Sequence, residues 1–195
     1  GALDALVAFP STRGNEAPCQ DFLAREMAAR GFAVDRWAIR EADIKALRGF
    51  SPVMDTDYAT CLTVVGSRRV DRPEGRSLIL QGHIDVVPAG PEAMWATPPF
   101  SPTERDGWLH GRGANDMKAG VSCMFFALDA LATAGLAPAS DVHVQTVAEE
   151  ESTGNGALST LARGYRADAA LIPEPTGHSI TRAAVGCMWF RLRVA

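Results

Sequence analysis

The sequence lacks the features that mark several other classes of protein. It has four cysteines in 195 residues, without a Cys-x-x-Cys pair, which disfavours a disulfide framework or a thiolate zinc site. No run of about eighteen apolar residues occurs, so we expect no membrane span. The formal net charge of −4 gives no basic surface for nucleic acid. These absences predict a cytoplasmic protein with reduced, buried thiols and neither a membrane nor a nucleic-acid partner.

The N-terminal segment GALDALVAFPSTRGN has no basic start followed by an apolar core, so no signal peptide is expected. The rest of the chain alternates helical and strand patterns, which predicts an α/β fold. Residues 15 to 32 form an amphipathic helical pattern, and residues 117 to 135 are so apolar that we predict a buried helix. Residues 88 to 110 are interpreted as a long ordered loop. Strands are predicted at residues 33 to 39, 60 to 66, 77 to 83, 141 to 147 and 167 to 173.

Acidic and histidine residues follow the ends of the predicted strands. His83 and Asp85 follow one apolar run, Glu149 to Glu151 follow another, and Glu174 follows a third. Asp116 opens the apolar helix. Charged residues beside buried strands are costly unless something compensates them, and ligands of open α/β sheets gather at the carboxyl ends of strands. A cluster of divalent metal ions would compensate all of these residues together.

The residue types suit hydrolytic metal chemistry. Zinc binds imidazole nitrogen and carboxylate oxygen, and Asp85 could accept the second N–H of the His83 ring and fix its tautomer. Two ions bridged by one carboxylate would activate a water, and a neighbouring carboxylate would take its proton. Each element alone has a plain structural explanation, since a triplet of glutamates is often a solvated helix start favoured by the macrodipole. Their placement at consecutive strand ends favours a site.

The ordered motifs GHIDVVPAG, GRGANDMKAG, the glutamate triplet and EPT resemble the M20 family of dinuclear zinc amidohydrolases, most closely its acetylornithine deacetylase and succinyl-diaminopimelate desuccinylase branch. The resemblance implies an incomplete three-layer α/β catalytic domain with a mostly parallel central sheet. Residues 1 to 179 would form the N-terminal part of that domain. Residues 180 to 195 would lead into the first strand of an α+β lid and dimerisation domain, so the full-length protein is expected to be a homodimer.

The resemblance also implies roles for single residues. His83 matches a metal ligand, and Asp85 matches the aspartate that orients this histidine. Asp116 matches the carboxylate that bridges two metals, and the peptide bond after it is often cis in the family. Glu174 matches the carboxylate that completes the shell of the first metal.

The three consecutive glutamates leave two registers open. The family has a short acidic motif with four residues between it and a glycine. If that glycine is Gly156, the resemblance makes Glu150 the general acid/base and Glu151 a ligand of the second metal. The alternative register assigns these roles to Glu149 and Glu150, respectively. The family's second metal also takes a histidine from far towards the C-terminus, which this sequence does not contain. We interpret the remaining histidines as structural; they are His110, His143 and His178.

The resulting functional hypothesis is metal-dependent hydrolysis of the amide bond of a small N-acyl amino acid, with two divalent ions as cofactors, Zn²⁺ or else Co²⁺. Two alternatives stay open: a dipeptidase or carboxypeptidase of the same chemistry acting on a short peptide, and an inactive fragment that only binds metal. A nucleotide-binding domain is disfavoured, because Asp116 and Ser159 stand where the third glycine of G-x-G-x-x-G would be.

Overall fold

The computed structural model describes residues 1–52, 57–177, 179–182 and 192–194. Its helices are α1 (Ala2–Val7), α2 (Ala17–Ala29), α3 (Glu41–Ile44), α4 (Ala119–Thr133) and α5 (Asn155–Ala162). Its strands are β1 (Ala33–Ala38), β2 (Leu62–Arg68), β3 (Leu78–His83), β4 (Thr103–Arg105), β5 (Trp108–His110), β6 (Val142–Val147) and β7 (Ala169–Leu171).

Five strands form the central sheet in the order β1-β2-β6-β3-β7. The pairs β1–β2 and β2–β6 are antiparallel, whereas β6–β3 and β3–β7 are parallel. Every residue of β6 is buried, including the polar His143, Gln145 and Thr146, because the central strand of a covered sheet meets side chains on both faces. The predicted α/β class is confirmed. The sheet is mixed, and the parallel half contains the strands that precede the candidate site.

Helices cover both faces of this sheet. On β2, Val64 joins the core beneath α2, whereas the neighbouring Thr63 lies 3.3 Å from Ser159 of α5. Successive residues of a strand point to opposite faces, so α2 and α5 lie on opposite sides. The larger core combines α2 and α4 with the sheet, and a smaller core contains Ile44 of α3 and Leu158 of α5. The predicted three layers are therefore present.

The predicted buried helix is only half buried. In α4 the residues facing the core include Val121 and Met124, but Phe126 is 74% exposed and Cys123 is exposed as well. The expectation of a buried thiol is therefore wrong for Cys123, although it holds for Cys19 and Cys61. An apolar helix laid on one sheet face buries only the side that meets the sheet, and composition alone cannot say how much of the other side is covered.

The predicted loop at residues 88 to 110 contains the hairpin β4–β5. Its turn residues Asp106 and Gly107 both have positive φ, 53° and 79°, the backbone of a type I′ turn. Asp-Gly is a favoured sequence for this turn, so a local signal for the hairpin is present in the sequence, although only a loop was predicted there. A short helix, α1, was also not predicted.

The predicted final strand falls mostly on residues 183–191 and 195, which lie outside the described residues, and the structure does not test the domain boundary expected at residue 180. They stay predictions. In the part of the chain that the structure describes, no helix combines the length and the hydropathy needed to cross a membrane.

Gly156, in the first turn of α5, sets the distance between this helix and the end of β6. A Cβ atom at this position would stand 1.9 Å from the carbonyl oxygen of Ala148, and backbone cannot yield as a flexible side chain does. We expect Gly156→Ala to lower the free energy of unfolding by about 2 kcal/mol or more and to displace the glutamates that follow β6. Chemical denaturation measures this change.

Gly75→Ala is the matched control, because the Cβ atom added there has its nearest neighbour at 3.9 Å. This variant should be neutral or slightly stabilising, since alanine restricts the unfolded chain. Equal stability of the two variants would contradict the assigned close approach.

Candidate metal centre

The parallel strands bring the acidic and histidine residues to one edge of the sheet. β3 lies between β6 and β7 and ends at His83, beside Val147 of β6. Glu150 and Glu151 follow β6, and Glu174 follows β7. Because parallel strands end at the same edge, residues distant in sequence converge around the His83 ring.

His83 is the centre of this cluster, with a relative exposure of 1%. Its Nε2 atom lies 3.0 Å from Oδ1 of Asp116, 3.6 Å from Oε2 of Glu150 and 3.8 Å from Oε1 of Glu174. Donor atoms of His83, Asp116 and Glu151 also lie within 4.8 Å of one another. One imidazole nitrogen therefore faces carboxylates from three separate stretches of the chain.

The other ring nitrogen is held by Asp85, but not as expected. Nδ1 of His83 lies 2.9 Å from the backbone carbonyl oxygen of Asp85, which accepts its hydrogen bond, while the carboxylate oxygen is 3.5 Å away. The buried carboxylate instead accepts the backbone N–H groups of Glu150 and Glu151 at 3.3 and 3.1 Å. Asp85 thus fixes the histidine through its main chain and the acidic loop through its side chain.

The geometry separates the three glutamates. Glu149 has a left-handed backbone, φ 69°, and its fully buried carboxylate turns away from His83 to accept two hydrogen bonds from Arg13, at 2.6 and 3.1 Å. Glu150 and Glu151 continue towards the histidine. This arrangement agrees with the register in which Glu150 and Glu151 form the functional pair, and it gives Glu149 a different partner.

Asp116 reaches the site from a distorted turn before α4. Residues Ala114–Lys118 form a kinked turn with non-helical backbone at Asp116 (φ −114°, ψ 104°), which begins after Gly113 at φ 77°. The Asp116–Met117 peptide bond is cis, as the resemblance implied. A Cβ atom on Gly113 would lie 2.5 Å from Val86, so glycine is needed there both for backbone conformation and for close packing. The turn leaves the Asp116 side chain 54% exposed while Met117 is buried.

The electrostatics of the cluster favour positive charge. Burial opposes a charge on His83, but the carboxylates of Asp85, Glu150 and Glu174 outweigh it and raise the histidine pKa to about 10. Burial, reinforced by the neighbouring carboxylates, raises the pKa of Glu174 to about 7 and also raises that of Glu150 and of Glu151. Mutual repulsion of this kind is relieved by a divalent cation, which would take the place of the protons.

The donor set fits a divalent metal ion, since one imidazole nitrogen and several carboxylate oxygens are ligands that zinc accepts. Neither of the other described histidines joins it. His143 is on β6, with Nδ1 at 2.8 Å from Oγ of Ser67 and its ring edge against Tyr165, and His110 ends β5. His178 lies outside the described residues.

Two residues near the site had no role assigned from the sequence. Arg13 binds Glu149 from 136 positions away in the chain, and no local pattern indicates such a pairing. Lys118 is completely buried, and its Nζ donates to the carbonyl oxygen of Phe9 at 2.8 Å. Burial lowers the pKa of Lys118 to about 8. Its place two residues after Asp116 in NDMKAG was the available signal.

The sequence profile of the family described as peptidase family M20/M25/M40 matches residues 79–188. This segment contains every residue of the cluster and more than half of the chain. The chain therefore belongs to the M20/M25/M40 family of peptidases, a family of metal-dependent hydrolases.

The curated proteins similar to this chain include a desuccinylase and a deformylase. It is 33% identical over 178 residues to succinyl-diaminopimelate desuccinylase from Acidovorax ebreus (strain TPSY), covering 89% of this chain and 43% of the relative. It is 31% identical over 165 residues to N-formyl-4-amino-5-aminomethyl-2-methylpyrimidine deformylase from Bacillus subtilis (strain 168), covering 85% of this chain and 34% of that protein. The chain thus spans less than half the length of these relatives.

Solved structures show the same fold at lower identity. The M20 family metallo-carboxypeptidase Sso-CP2 from Sulfolobus solfataricus superimposes with a TM-score of 0.66 at 18% identity, over 88% of this chain and 36% of that chain. Human carnosine dipeptidase 1 gives a TM-score of 0.64 at 23% identity, over 87% of this chain and 37% of its own. These similarities confirm the α/β architecture of the catalytic domain.

Metal affinity should rise with pH, because the ion must displace protons from the cluster. Below the raised pKa values of Glu174, about 7, and His83, about 10, these groups bind protons that metal binding releases. The association constant should therefore increase by about tenfold per pH unit for each proton released, and less steeply above pH 7. Calorimetric titration with Zn²⁺ at several pH values, in buffers of different ionisation enthalpy, measures both the affinity and the protons released.

His83→Ala should weaken binding by at least 10-fold, an order of magnitude typical of losing a ligand or its support, and should reduce the proton release. The control is His143→Gln. His143 lies on β6 beside Ile79, which is four residues before His83 on β3, so this variant should bind the metal ion as the parent does. Affinity independent of pH would contradict the assignment.

Proposed function

We propose that the protein containing this chain hydrolyses the amide bond of a small N-acyl amino acid at the His83 cluster, with two divalent metal ions, Zn²⁺ in the first instance. The observation that carries this proposal is the convergence of carboxylates on the buried Nε2 atom of His83, at 3.0 to 3.8 Å. Family membership and the desuccinylase and deformylase relatives support the reaction class.

The proposed ligand roles are those that the resemblance to the family implies. His83 would coordinate one ion with Glu174, Glu151 would coordinate the other, and Asp116 would bridge the two because its exposed carboxylate stands in front of the histidine. Divalent ions in such a site polarise the scissile carbonyl and lower the pKa of a water molecule. The carbonyl of Asp85 keeps Nδ1 protonated, so that Nε2 presents its lone pair to the site.

Glu150 is proposed as the general base and acid. Its carboxylate is half exposed, lies 3.6 Å from Nε2 of His83 and has a pKa raised first by burial. A carboxylate with a raised pKa accepts a proton from the attacking water more readily and can return it to the leaving amine. Asp85 holds the backbone N–H of Glu150, which restricts where this proton transfer can occur.

The substrate class is proposed as N-acyl amino acids, with an acetylornithine deacetylase-like activity as one member and desuccinylation as another. The named relatives favour the acyl class over peptides, although a dipeptidase or carboxypeptidase would use the same residues. We further propose that residues 180 to 195 lead into a lid domain, and that the full-length protein is a homodimer acting in the cytoplasm.

Glu150→Gln in the intact gene product should lower kcat by about 10²- to 10⁴-fold, because general acid/base catalysis contributes a factor of this size, while its metal content stays that of the parent. Glu151→Gln should instead lose metal. Steady-state assays with N-succinyl, N-acetyl and N-formyl amino acids and with dipeptides, combined with elemental analysis, measure both effects.

The matched control is Glu104→Gln on the β4–β5 hairpin, an exposed glutamate, which should retain full activity. If Glu150→Gln, rather than Glu151→Gln, removed metal and Glu149→Gln lowered kcat, the alternative register would be correct. Turnover of dipeptides but of no N-acyl amino acid would show that the substrates are peptides, while the proposed mechanism of hydrolysis would stay the same. A fully active Glu150→Gln variant would refute the catalytic assignment.

A further inference from the structure

A second group of potential ligands lies behind the acidic loop. Glu16 caps the N-terminus of α2, Cys61 precedes β2, and Glu149 follows β6. All three have a relative exposure of 0%, and each offers an oxygen or sulfur atom within 4.8 Å of the other two. None of them coordinates at the His83 cluster, so this buried triad is a separate feature of the fold.

Glu16 is the unusual member of the buried triad. Neither of its carboxylate oxygens has a hydrogen-bond partner among the described residues, although the side chain is completely buried. A buried carboxylate without partners is strongly disfavoured unless a cation or a proton neutralises it. Burial raises the pKa of Glu16 to about 7, although the nearby backbone N–H groups of Glu16 and Gly14 act to lower it; the charges of Asp85 and Glu149 raise it further.

Glu149 has coordination capacity left on one oxygen. Its Oε2 accepts from Arg13 Nη2, Tyr58 and Thr153, at 3.1, 3.3 and 3.1 Å. Its Oε1 accepts from Arg13 Nε at 2.6 Å, and a carboxylate oxygen has two lone pairs. Among the described residues, Oε1 therefore has one lone pair left for a ligand.

We propose that Glu16, Cys61 and Glu149 bind a divalent transition-metal ion of the zinc type, at a structural site separate from the hydrolytic centre. Two carboxylates and one thiolate supply three negative charges, which a divalent ion and the Arg13 guanidinium balance. The sulfur ligand selects a thiophilic ion over Mg²⁺ or Ca²⁺. The ion would tie α2 and β2 to the loop that presents Glu150 and Glu151.

The thiol distinguishes this site from the other centre. Burial raises the pKa of the Cys61 thiol to about 12, so without a metal ion it stays protonated, whereas coordination deprotonates a thiol. The residues assigned to the hydrolytic centre offer only nitrogen and oxygen. A metal–sulfur bond is therefore a signature of the buried triad, whether or not the protein hydrolyses amides.

The test uses the intact gene product, stripped of metal and titrated with Co²⁺ alone. A thiolate bound to Co²⁺ gives a strong ligand-to-metal charge-transfer absorption in the near ultraviolet, which nitrogen and oxygen ligands do not give. We expect this band in the parent protein. Cys61→Ser and Glu16→Gln should each lose it and bind one metal ion fewer per chain. X-ray absorption of the Zn²⁺ form of the parent protein should show a Zn–S distance of about 2.3 Å.

Cys19→Ser is the matched control, because Cys19 is also a buried free thiol outside the triad, and Cys187→Ser is the second. Both should keep the band. The absence of a charge-transfer band and of Zn–S scattering in the parent would overturn the proposal and leave Glu16 neutralised by a proton. Loss of the band only in a control variant would also overturn it. The X-ray absorption measurement uses only the parent protein, so it tests the proposal even if the Cys61→Ser variant folds poorly.

Discussion

Repulsion among carboxylates that surround one buried imidazole is the interaction on which the rest of the site depends. Asp116, Glu150 and Glu174 all approach Nε2 of His83 within 4 Å. The carboxylates of Asp85, Glu150 and Glu174 raise the pKa of this buried histidine to about 10. Such a cluster of carboxylates destabilises the folded state unless positive charge offsets their repulsion. The cluster therefore favours the binding of cations, and the residues around it hold the carboxylates in place.

The sheet holds them by a simple geometric means. Three neighbouring parallel strands, β6, β3 and β7, end at one edge, and each is followed by a residue of the cluster. Asp85 then connects two of these ends, since its carbonyl holds His83 while its carboxylate holds the N–H groups of the acidic loop. The salt bridge of Arg13 with Glu149 anchors the same loop from behind. The positions of the ligands are thus set by main-chain hydrogen bonds and one buried ion pair.

Local signals predicted the parts of the fold that depend on neighbouring residues. The local distribution of apolar residues predicted the five strands of the central sheet and helices α2 and α4, because burial requires apolar residues at fixed local positions. The exposure of Phe126 and Cys123 could not be predicted in this way, because an entirely apolar helix has no pattern that separates its covered face from its open one. The antiparallel pairing of β2 with β6 could not be predicted from local patterns either, since strand pairing depends on contacts between segments distant in sequence.

The sequence by itself determined the family, the identity of the clustered residues and the strand ends from which they project, because these properties are carried by residue types at fixed local spacing. Only the tertiary structure decided which glutamate of the triplet turns away from His83, which group of Asp85 holds the ring, and that Glu16, Cys61 and Glu149 meet in the interior. Side-chain direction in a tight loop follows from backbone torsions such as φ 69° at Glu149 and from partners far away in sequence, and neither is encoded in a short motif.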